Sequence, residues 1–284
     1  MENFYLSGKC VIACLLVSGL TVTSCSNDDP SDSSKNTDPV IQVGNPSKVF
    51  VNKVPQSTSD VKSITLDDKQ RVASMELDDG KVTFTYAQTR AESVSYDVVM
   101  TIVDEDDSDT SKDVFYLKLG SNGFVESAIE NDEGDDDSSQ NWTFAYTSDG
   151  QLKFMEKSDE DRYDITYNGD GDITKVNFTN LSGNGDDNEI YSIDYTSEDV
   201  TNAIENKGCI MEWDNTLDID MDNMKYAYYA GLLGKATKHL PLASRAETDG
   251  YVQKMNWTLD NSGYPVKLEV IGPYSRTETY TFAW

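Results

Sequence analysis

The chain from Val49 onward consists of short runs in which apolar and polar residues alternate. Clear examples are residues 82–86, 142–146, 163–167 and 280–284, where aromatic or β-branched side chains occupy every second position. Successive side chains of a β-strand point to opposite faces, so this pattern predicts strands with one buried face and one face in water. The sequence therefore predicts an all-β fold.

A turn signature recurs between these runs: an apolar strand end, a polar turn and a new strand. In the clear copies the turn contains Asp-Gly, Asn-Gly or Ser-Gly, which favour tight hairpins because these residues tolerate positive φ. Six copies predict about twelve to fourteen strands in an antiparallel meander running up and down. The clear copies begin at Leu119, Tyr146, Tyr167 and Leu259, and weaker ones begin at Leu66 and Tyr195.

Residues 222–233 break the alternation and contain several good helix formers. Met224, Tyr228 and Leu232 are spaced so that they share one face of a helix. Asp222 is a candidate cap for the start of this helix and Gly234 for its end. We therefore expect one short helix that either plugs a barrel or lies across a sheet.

The amino-terminal segment has the order of a lipoprotein export signal. An apolar run at residues 11–20 is too short to span a bilayer as a helix, and Cys25 follows a stretch of small and aliphatic residues. This order predicts a signal peptide at residues 1–24, lipidation of Cys25 and a flexible acidic tether at residues 25–46. Residues 47–284 then form a single β domain. The alternative is an ordinary cleaved signal peptide with a coincidental cysteine.

The formal net charge is −28. A surface of this charge disfavours nucleic acid, because affinity for nucleic acid depends on neutralising phosphates with Lys and Arg. It also disfavours direct docking on anionic lipid headgroups, so membrane attachment has to come from the lipid on Cys25. The partners that the charge favours are cations, basic proteins or neutral molecules such as glycans.

Residues able to support catalysis or to bind metal are scarce. His239 is the only histidine, and Cys209 is the only cysteine after Cys25, so the usual zinc sites and catalytic triads have no partners to draw on. We interpret His239 as a structural loop residue and Cys209 as a core residue in a buried strand. The NGDGDI stretch at residues 168–173 resembles the centre of a calcium loop, but both ends lack the required ligands. We predict no catalytic residues, no cofactor and no metal site.

The lipoprotein-like head, the repeated hairpins and residues 228–241 (YYAGLLGKATKHLP) together resemble a family of Bacteroidota surface lipoproteins. That family is described as a domain of unknown function with a porin-like fold, and the resemblance covers about residues 60–284. It implies a curved, barrel-like antiparallel sheet and an outer-membrane, lipid-anchored location. Orientation toward the periplasm or the cell surface stays open, and the resemblance implies no site residues.

The leading functional hypothesis is a non-catalytic binding or accessory module of the cell envelope, with a glycan or a protein as ligand. Three alternatives remain: a polysaccharide hydrolase using two carboxylates, a structural envelope protein, and a membrane-inserted β-barrel. Residues 280–284 resemble the carboxy-terminal signal of such barrels. Against insertion, the polar positions of the predicted strands are mostly Thr, Asp, Lys, Asn and Ser, a face that suits water.

Overall fold

The computed structural model describes residues 45–87, 96–106, 109–132, 139–183, 188–272 and 276–284. Within them, fifteen antiparallel strands form one sheet, in which each strand pairs with its neighbours in the chain. The predicted all-β meander is confirmed. The strands are β1 (Ser63–Leu66), β2 (Val72–Glu76), β3 (Gly80–Tyr86), β4 (Val98–Asp106), β5 (Asp109–Leu119), β6 (Val125–Asp132), β7 (Ser139–Tyr146), β8 (Leu152–Lys157), β9 (Asp161–Tyr167), β10 (Ile173–Asn180), β11 (Glu189–Asp194), β12 (Ala243–Ala246), β13 (Val252–Leu259), β14 (Pro265–Ile271) and β15 (Thr277–Thr281).

The alternation seen in the sequence becomes an apolar inner face and a polar outer face. On β3, Val82, Phe84 and Tyr86 are buried, while the intervening Lys81, Thr83 and Thr85 are exposed. The same holds for Trp142 and Phe144 on β7 and for Tyr163 and Ile165 on β9. Strands with this pattern gain stability by burying one face, at roughly 25 cal/mol per Å² of apolar surface.

Five of the six predicted turns form hairpins with one shared geometry. The amide of the fourth turn residue donates to the carbonyl of the first, and the first amide donates to the carbonyl of the fifth. A register shift beside each turn marks a bulge, as in hairpins that combine a type I turn with a left-handed residue. The left-handed residues are Gln70, Gly123, Gly150, Gly171 and Gly263.

The sixth copy, at Tyr195, does not form a hairpin. It opens a long connection, residues 195–242, which we call the crossover segment and which returns the chain to pair β12 with β11. Its first turn is closed by a bond from the Ser197 amide to the carbonyl of Val200. The turn signature was the same, but no alternating strand follows Val200, so no second hairpin strand is available there.

The strands alternate in direction, so the connections fall at two opposite rims of the sheet. The five repeated turns lie at one rim, which we call the turn rim, and the crossover segment begins and ends at the same rim. Acidic insertions at residues 104–113, 130–139 and 183–189 contain the β4–β5, β6–β7 and β10–β11 connections, so the strand ends around them share the other rim. We call that end the acidic rim. Residues 107–108, 133–138 and 184–187, within those insertions, lie outside the described residues.

The crossover segment contains two short helices, α1 (Trp213–Leu217) and α2 (Lys225–Tyr229). The predicted helix near 222–233 is confirmed in place but is shorter than expected, and α1 was not predicted. Asp222 makes no side-chain cap, and a 3-10 turn at Asp222–Met224 precedes α2. The helix ends at Tyr229, four residues before the predicted end, and Gly231 takes a positive φ two residues later. Gly234 therefore lies too far along the chain to be its cap, contrary to the prediction.

The crossover segment packs on the inner face of the sheet. Met224, Tyr228, Leu232 and Leu233 are all 0% exposed and belong to the same apolar core as the inward residues of the strands. Hydrogen bonds from this segment reach β6 and the turns before β8 and β10. They also reach β13 and β15. The sheet therefore curls around the crossover segment, which fills its interior.

Residues 45–60, which we call the strap, run from the turn rim to the acidic rim. β1 and β15 are the edges of the sheet and no strand ladder joins them. Between them the Gln56 amide donates to the carbonyl of Ala283 at 2.8 Å, and the Ala283 amide donates to Ser57 at 3.1 Å. At the turn rim, Pro46 lies so close to Gly231 that a Cβ there would be 2.6 Å from the Pro46 Cα. The strap thus holds together the edges of the sheet and the crossover segment.

Gly150→Val is expected to destabilise the domain through the β7–β8 turn. Gly150 has φ of +89°, where a Cβ costs about 1–2 kcal/mol, and a Cβ would lie 3.1 Å from the Phe124 ring. Gly263→Val is the matched control, because Gly263 occupies the same turn position at φ +85° with its nearest neighbour, Lys207, at 3.8 Å. Chemical denaturation should show a lower free energy of unfolding for both variants and the larger decrease for Gly150→Val. Wild-type stability of Gly150→Val would contradict the turn geometry.

Candidate functional site

A pocket of about 340 Å³ opens where the crossover segment meets the acidic rim. Helix α1, the 3-10 turn and the start of α2 form its walls, and the end of the strap closes one side. We call it the acidic pocket. Its lining residues are Asp60, Met211, Glu212, Trp213, Asp214, Asn215, Asp220, Met221, Asp222, Asn223, Lys225 and Tyr229.

Glu212 is the buried carboxylate of this pocket, with 8% of its surface exposed. The Tyr229 hydroxyl donates to one carboxylate oxygen at 3.2 Å, and the Asn215 amide donates to the other at 3.4 Å. Both bonds are long for a charged acceptor, which normally attracts donors to about 2.7–2.9 Å. Burial and, after it, the charge of the neighbouring Asp60 raise the pKa of Glu212 to about 7. The carboxylate is therefore short of donors, and an incoming donor or cation would stabilise it.

The two lysines near the pocket are already paired. Lys225 lies 2.9 Å from Asp60, and Lys157 lies 2.9 Å from Asp222 and 2.8 Å from Glu160. The remaining carboxylates, Glu212, Asp214 and Asp220, leave the pocket with excess negative charge.

The raised carboxyl pKa values extend around the pocket. Burial, followed by the nearby Asp220, raises the pKa of Asp214. Asp218, just outside the pocket, accepts a hydrogen bond from Ser244, and burial raises its pKa to about 6. Carboxylates crowded in this way repel each other and favour the binding of positive charge.

Organic cations suit this pocket better than metal ions. Within the part of the chain that the structure describes, no three His, Cys, Asp or Glu side chains converge closely enough to hold a metal. An amine or guanidinium group needs only hydrogen-bond acceptors around it, which the carboxylates provide, and its carbon stem can contact Trp213 or Tyr229. The pocket can therefore bind a basic side chain.

A second pocket, of about 370 Å³, lies at the turn rim. It is formed by the β7–β8 turn, the β9–β10 turn and residues 235–238 of the crossover segment. We call it the turn pocket. Its lining residues are Thr147, Asp149, Gln151, Tyr167, Asn168, Gly169, Asp170, Gly171, Lys235, Ala236 and Lys238.

The residues singled out by the sequence take structural positions or lie outside the described residues. Cys25 lies outside them. The prediction that Cys209 occupies a buried strand is wrong: it lies in a turn with φ of +52° and is half-buried. His239 lies in a loop, as predicted, with its Nδ1 2.7 Å from the buried Asp172 carboxylate. The backbone amide of His239 donates to the same carboxylate, so the pair secures the crossover segment to the β9–β10 turn.

Sequence reasoning did not single out Glu212 or Asp214 among the 51 acidic residues. One signal was available, because Glu212 interrupts an apolar run between Met211 and Trp213. A carboxylate so placed is a candidate for burial and a raised pKa. The NGDGDI stretch, considered as a calcium loop, is the β9–β10 turn and one wall of the turn pocket.

The fold is a curled antiparallel meander whose interior is filled by a crossover segment, an architecture of the porin-like class. The chain belongs to the family described as a domain of unknown function (DUF4595) with porin-like fold, which matches residues 52–267. The resemblance noted from the sequence is thereby confirmed.

Two solved structures illustrate the likeness, and both are described as porin-like proteins. One from Bacteroides uniformis has 14% sequence identity and a TM-score of 0.53, covering 78% of this chain and 88% of its own. One from Bacteroides vulgatus has 12% identity and a TM-score of 0.37, covering 82% of this chain and 99% of its own. The structure from Bacteroides uniformis shows a shared fold, and at 14% identity it shows the fold alone. A search of curated proteins found no match.

No helix within the described ranges is both long enough and apolar enough to cross a membrane.

Proposed function

We propose that this protein is a lipid-anchored module of the outer membrane that binds a basic segment of a partner protein in the acidic pocket, without catalysis. The observation that carries the proposal is the under-coordinated, buried Glu212 at the base of a pocket with excess carboxylates. A lysine or arginine side chain would supply the missing donors. The net charge of −28 would attract such a partner from a distance.

Anchoring through Cys25 suits the direction in which the chain enters the fold. The first described residues, Asn45 and Pro46, lie at the turn rim, where Pro46 packs against Gly231. The acidic pocket opens at the opposite rim. A tether attached at the turn rim would leave the pocket free to face away from anionic lipid.

Cys25→Ala is expected to release the protein from the membrane fraction into the soluble fraction. Acyl chains contribute about 0.8 kcal/mol per buried methylene, and their loss removes the anchor. Cell fractionation with detection of the protein measures this. Cys209→Ala is the control, because Cys209 is the other cysteine of the mature chain and should leave the protein at the membrane. Tight membrane association of Cys25→Ala would contradict the anchor.

Binding of a basic segment can be tested with synthetic peptides that contain one to three lysine or arginine residues. Isothermal titration against the mature-length Cys25→Ala protein should detect binding that weakens with salt. The double variant Asp214→Asn/Asp220→Asn should bind about tenfold more weakly, a change of about 1.4 kcal/mol.

The matched control is Asp78→Asn/Asp79→Asn, which removes the same charge from the β2–β3 turn at the same rim. It should bind the peptides as the parent protein does. Equal losses in both double variants would show diffuse charge attraction and contradict the pocket. Failure of all the peptides to bind would contradict the proposal altogether.

Hydrolysis of polysaccharide is a second candidate, and one observation favours it. A pKa of about 7 for Glu212 lies in the range in which a carboxyl group acts as a general acid near neutral pH. Glycoside hydrolysis also needs a second carboxylate, for which Asp214 is the candidate. Release of reducing ends from a polysaccharide, abolished by Glu212→Gln, would establish this activity. Absence of release by the parent protein would contradict it.

A further inference from the structure

The turn pocket differs from the rest of this acidic protein in its balance of charge. Asp149 and Asp170 contribute two carboxylates, and Lys235 and Lys238 contribute two ammonium groups. Lys238 pairs with Asp170 at 3.1 Å. The net charge of the protein is −28, but a pocket with balanced charge adds no local preference for anions or for cations. It suits a neutral, polar ligand.

The lining offers both donors and acceptors. Carboxylates accept hydrogen bonds, ammonium groups donate them, and Thr147 can do both. Asn168 uses its Oδ1 to accept from the Asp170 and Asp172 amides, and this oxygen is the only side-chain atom of Asn168 that bonds within the described residues. Its amide nitrogen can therefore donate to a ligand. Paired donors and acceptors at close spacing are what adjacent hydroxyl groups of a sugar require.

The pocket is built on rigid elements. Gln151 is 8% exposed, and its side-chain amide donates to the carbonyls of Gly171 at 2.7 Å and Ala236 at 3.1 Å, which joins all three walls. The Tyr167 hydroxyl donates to the carbonyl of Leu152 at 2.6 Å, which fixes the ring that the pocket presents. A site already in place avoids the entropy cost of ordering loops on binding.

Gly169 is an exposed residue of the pocket lining with open space around it. A Cβ at this glycine would meet nothing within 4 Å. The half-buried Tyr167 supplies an apolar ring face, which can pack against the C–H face of a pyranose. A pocket of about 370 Å³ lies in the size range of small-ligand sites.

We propose that the turn pocket binds a neutral saccharide, one or two sugar units of a glycan chain. The ring packs against Tyr167, and its hydroxyl groups bond with Asp149, Asn168 and Lys235. This site is separate from the acidic pocket and stands whether or not the acidic pocket binds basic peptides.

The test uses an array of neutral oligosaccharides (glucans, mannans, xylans and galactans), with heparin and chitosan oligomers as charged probes. The mature-length Cys25→Ala protein is expected to bind at least one neutral glycan. Gly169→Tyr adds a large side chain to the lining of the pocket and should weaken that binding at least tenfold.

Asn261→Tyr is the matched control. Asn261 occupies the corresponding position in the β13–β14 turn, where the Asp260 side chain accepts from the Ser262 and Tyr264 amides as Asn168 does from Asp170 and Asp172. This variant should bind the glycan as the parent protein does. The Asp214→Asn/Asp220→Asn variant should also bind the glycan normally, which separates this site from the acidic pocket.

Three outcomes would overturn the proposal: no neutral glycan bound, only heparin or chitosan bound, or equal binding by Gly169→Tyr. If Gly169→Tyr melts below Asn261→Tyr, Asp149→Ala decides instead. It removes an exposed side chain without adding bulk and should weaken glycan binding several-fold. Unchanged binding in Asp149→Ala would then count against the site.

Discussion

Replacing Phe50 with alanine is expected to lower the free energy of unfolding by about 3–5 kcal/mol. The Phe50 side chain is 2% exposed, and its ring lies 5.6 Å from that of Tyr228 and 6.3 Å from that of Tyr229. It joins the strap to helix α2, so its removal leaves a cavity between the two. The loss should therefore exceed that of an average core truncation on a strand.

Val51→Ala is the control for this prediction, because Val51, the residue after Phe50 in the strap, is 71% exposed. Exposed substitutions usually change stability by no more than about 0.5 kcal/mol. Urea denaturation of both variants measures the difference. Equal stability of Phe50→Ala and Val51→Ala would show that the strap does not support the core.

Glu212→Gln is expected to stabilise the protein at alkaline pH. The pKa of Glu212 is raised from 4.5 to about 7 by burial, so the folded state holds the proton more tightly than the unfolded state. Below pH 4.5 both states are protonated. As the pH rises towards 7 the unfolded state releases its proton first, and the folded state loses about 3 kcal/mol of relative stability.

Glutamine is uncharged at every pH, so the variant does not carry this loss. Denaturation at pH 4 and pH 8 should show similar stabilities at pH 4 and a gain of up to about 3 kcal/mol for Glu212→Gln at pH 8. Glu198→Gln, at an exposed carboxyl in the crossover segment, should show no gain at either pH. A gain of the same size at both pH values would contradict a raised pKa.

The strands and turns were predictable because their signals are local. Alternation at residues 82–86 follows from the two-sided geometry of a strand, and Asp149-Gly150 specifies a hairpin through the φ values that these residues tolerate. The Tyr195 copy shows the limit of such signals. Its turn is intact, but the continuation of the chain after Val200 decides that it opens a crossover.

The helical segment was only partly predictable. The spacing of Met224, Tyr228 and Leu232 correctly indicated burial of all three, each 0% exposed. That spacing did not determine the length of the helix. Leu232 is buried although it lies after the helix, and its carbonyl accepts a hydrogen bond from the Val125 amide. Packing against β6 replaced the last helical turn.

By itself, the sequence determined the all-β class, the positions of the hairpins, the acidity and the scarcity of catalytic side chains, since each depends on composition or on neighbours in the chain. Only the tertiary structure decided which of the many carboxyl groups are buried in a pocket and have a raised pKa. Asp60 and Tyr229 are distant in the chain from Glu212 and Asp214, and the fold brings all four residues to one pocket. Burial and charge proximity set a pKa, and both are properties of the folded surroundings.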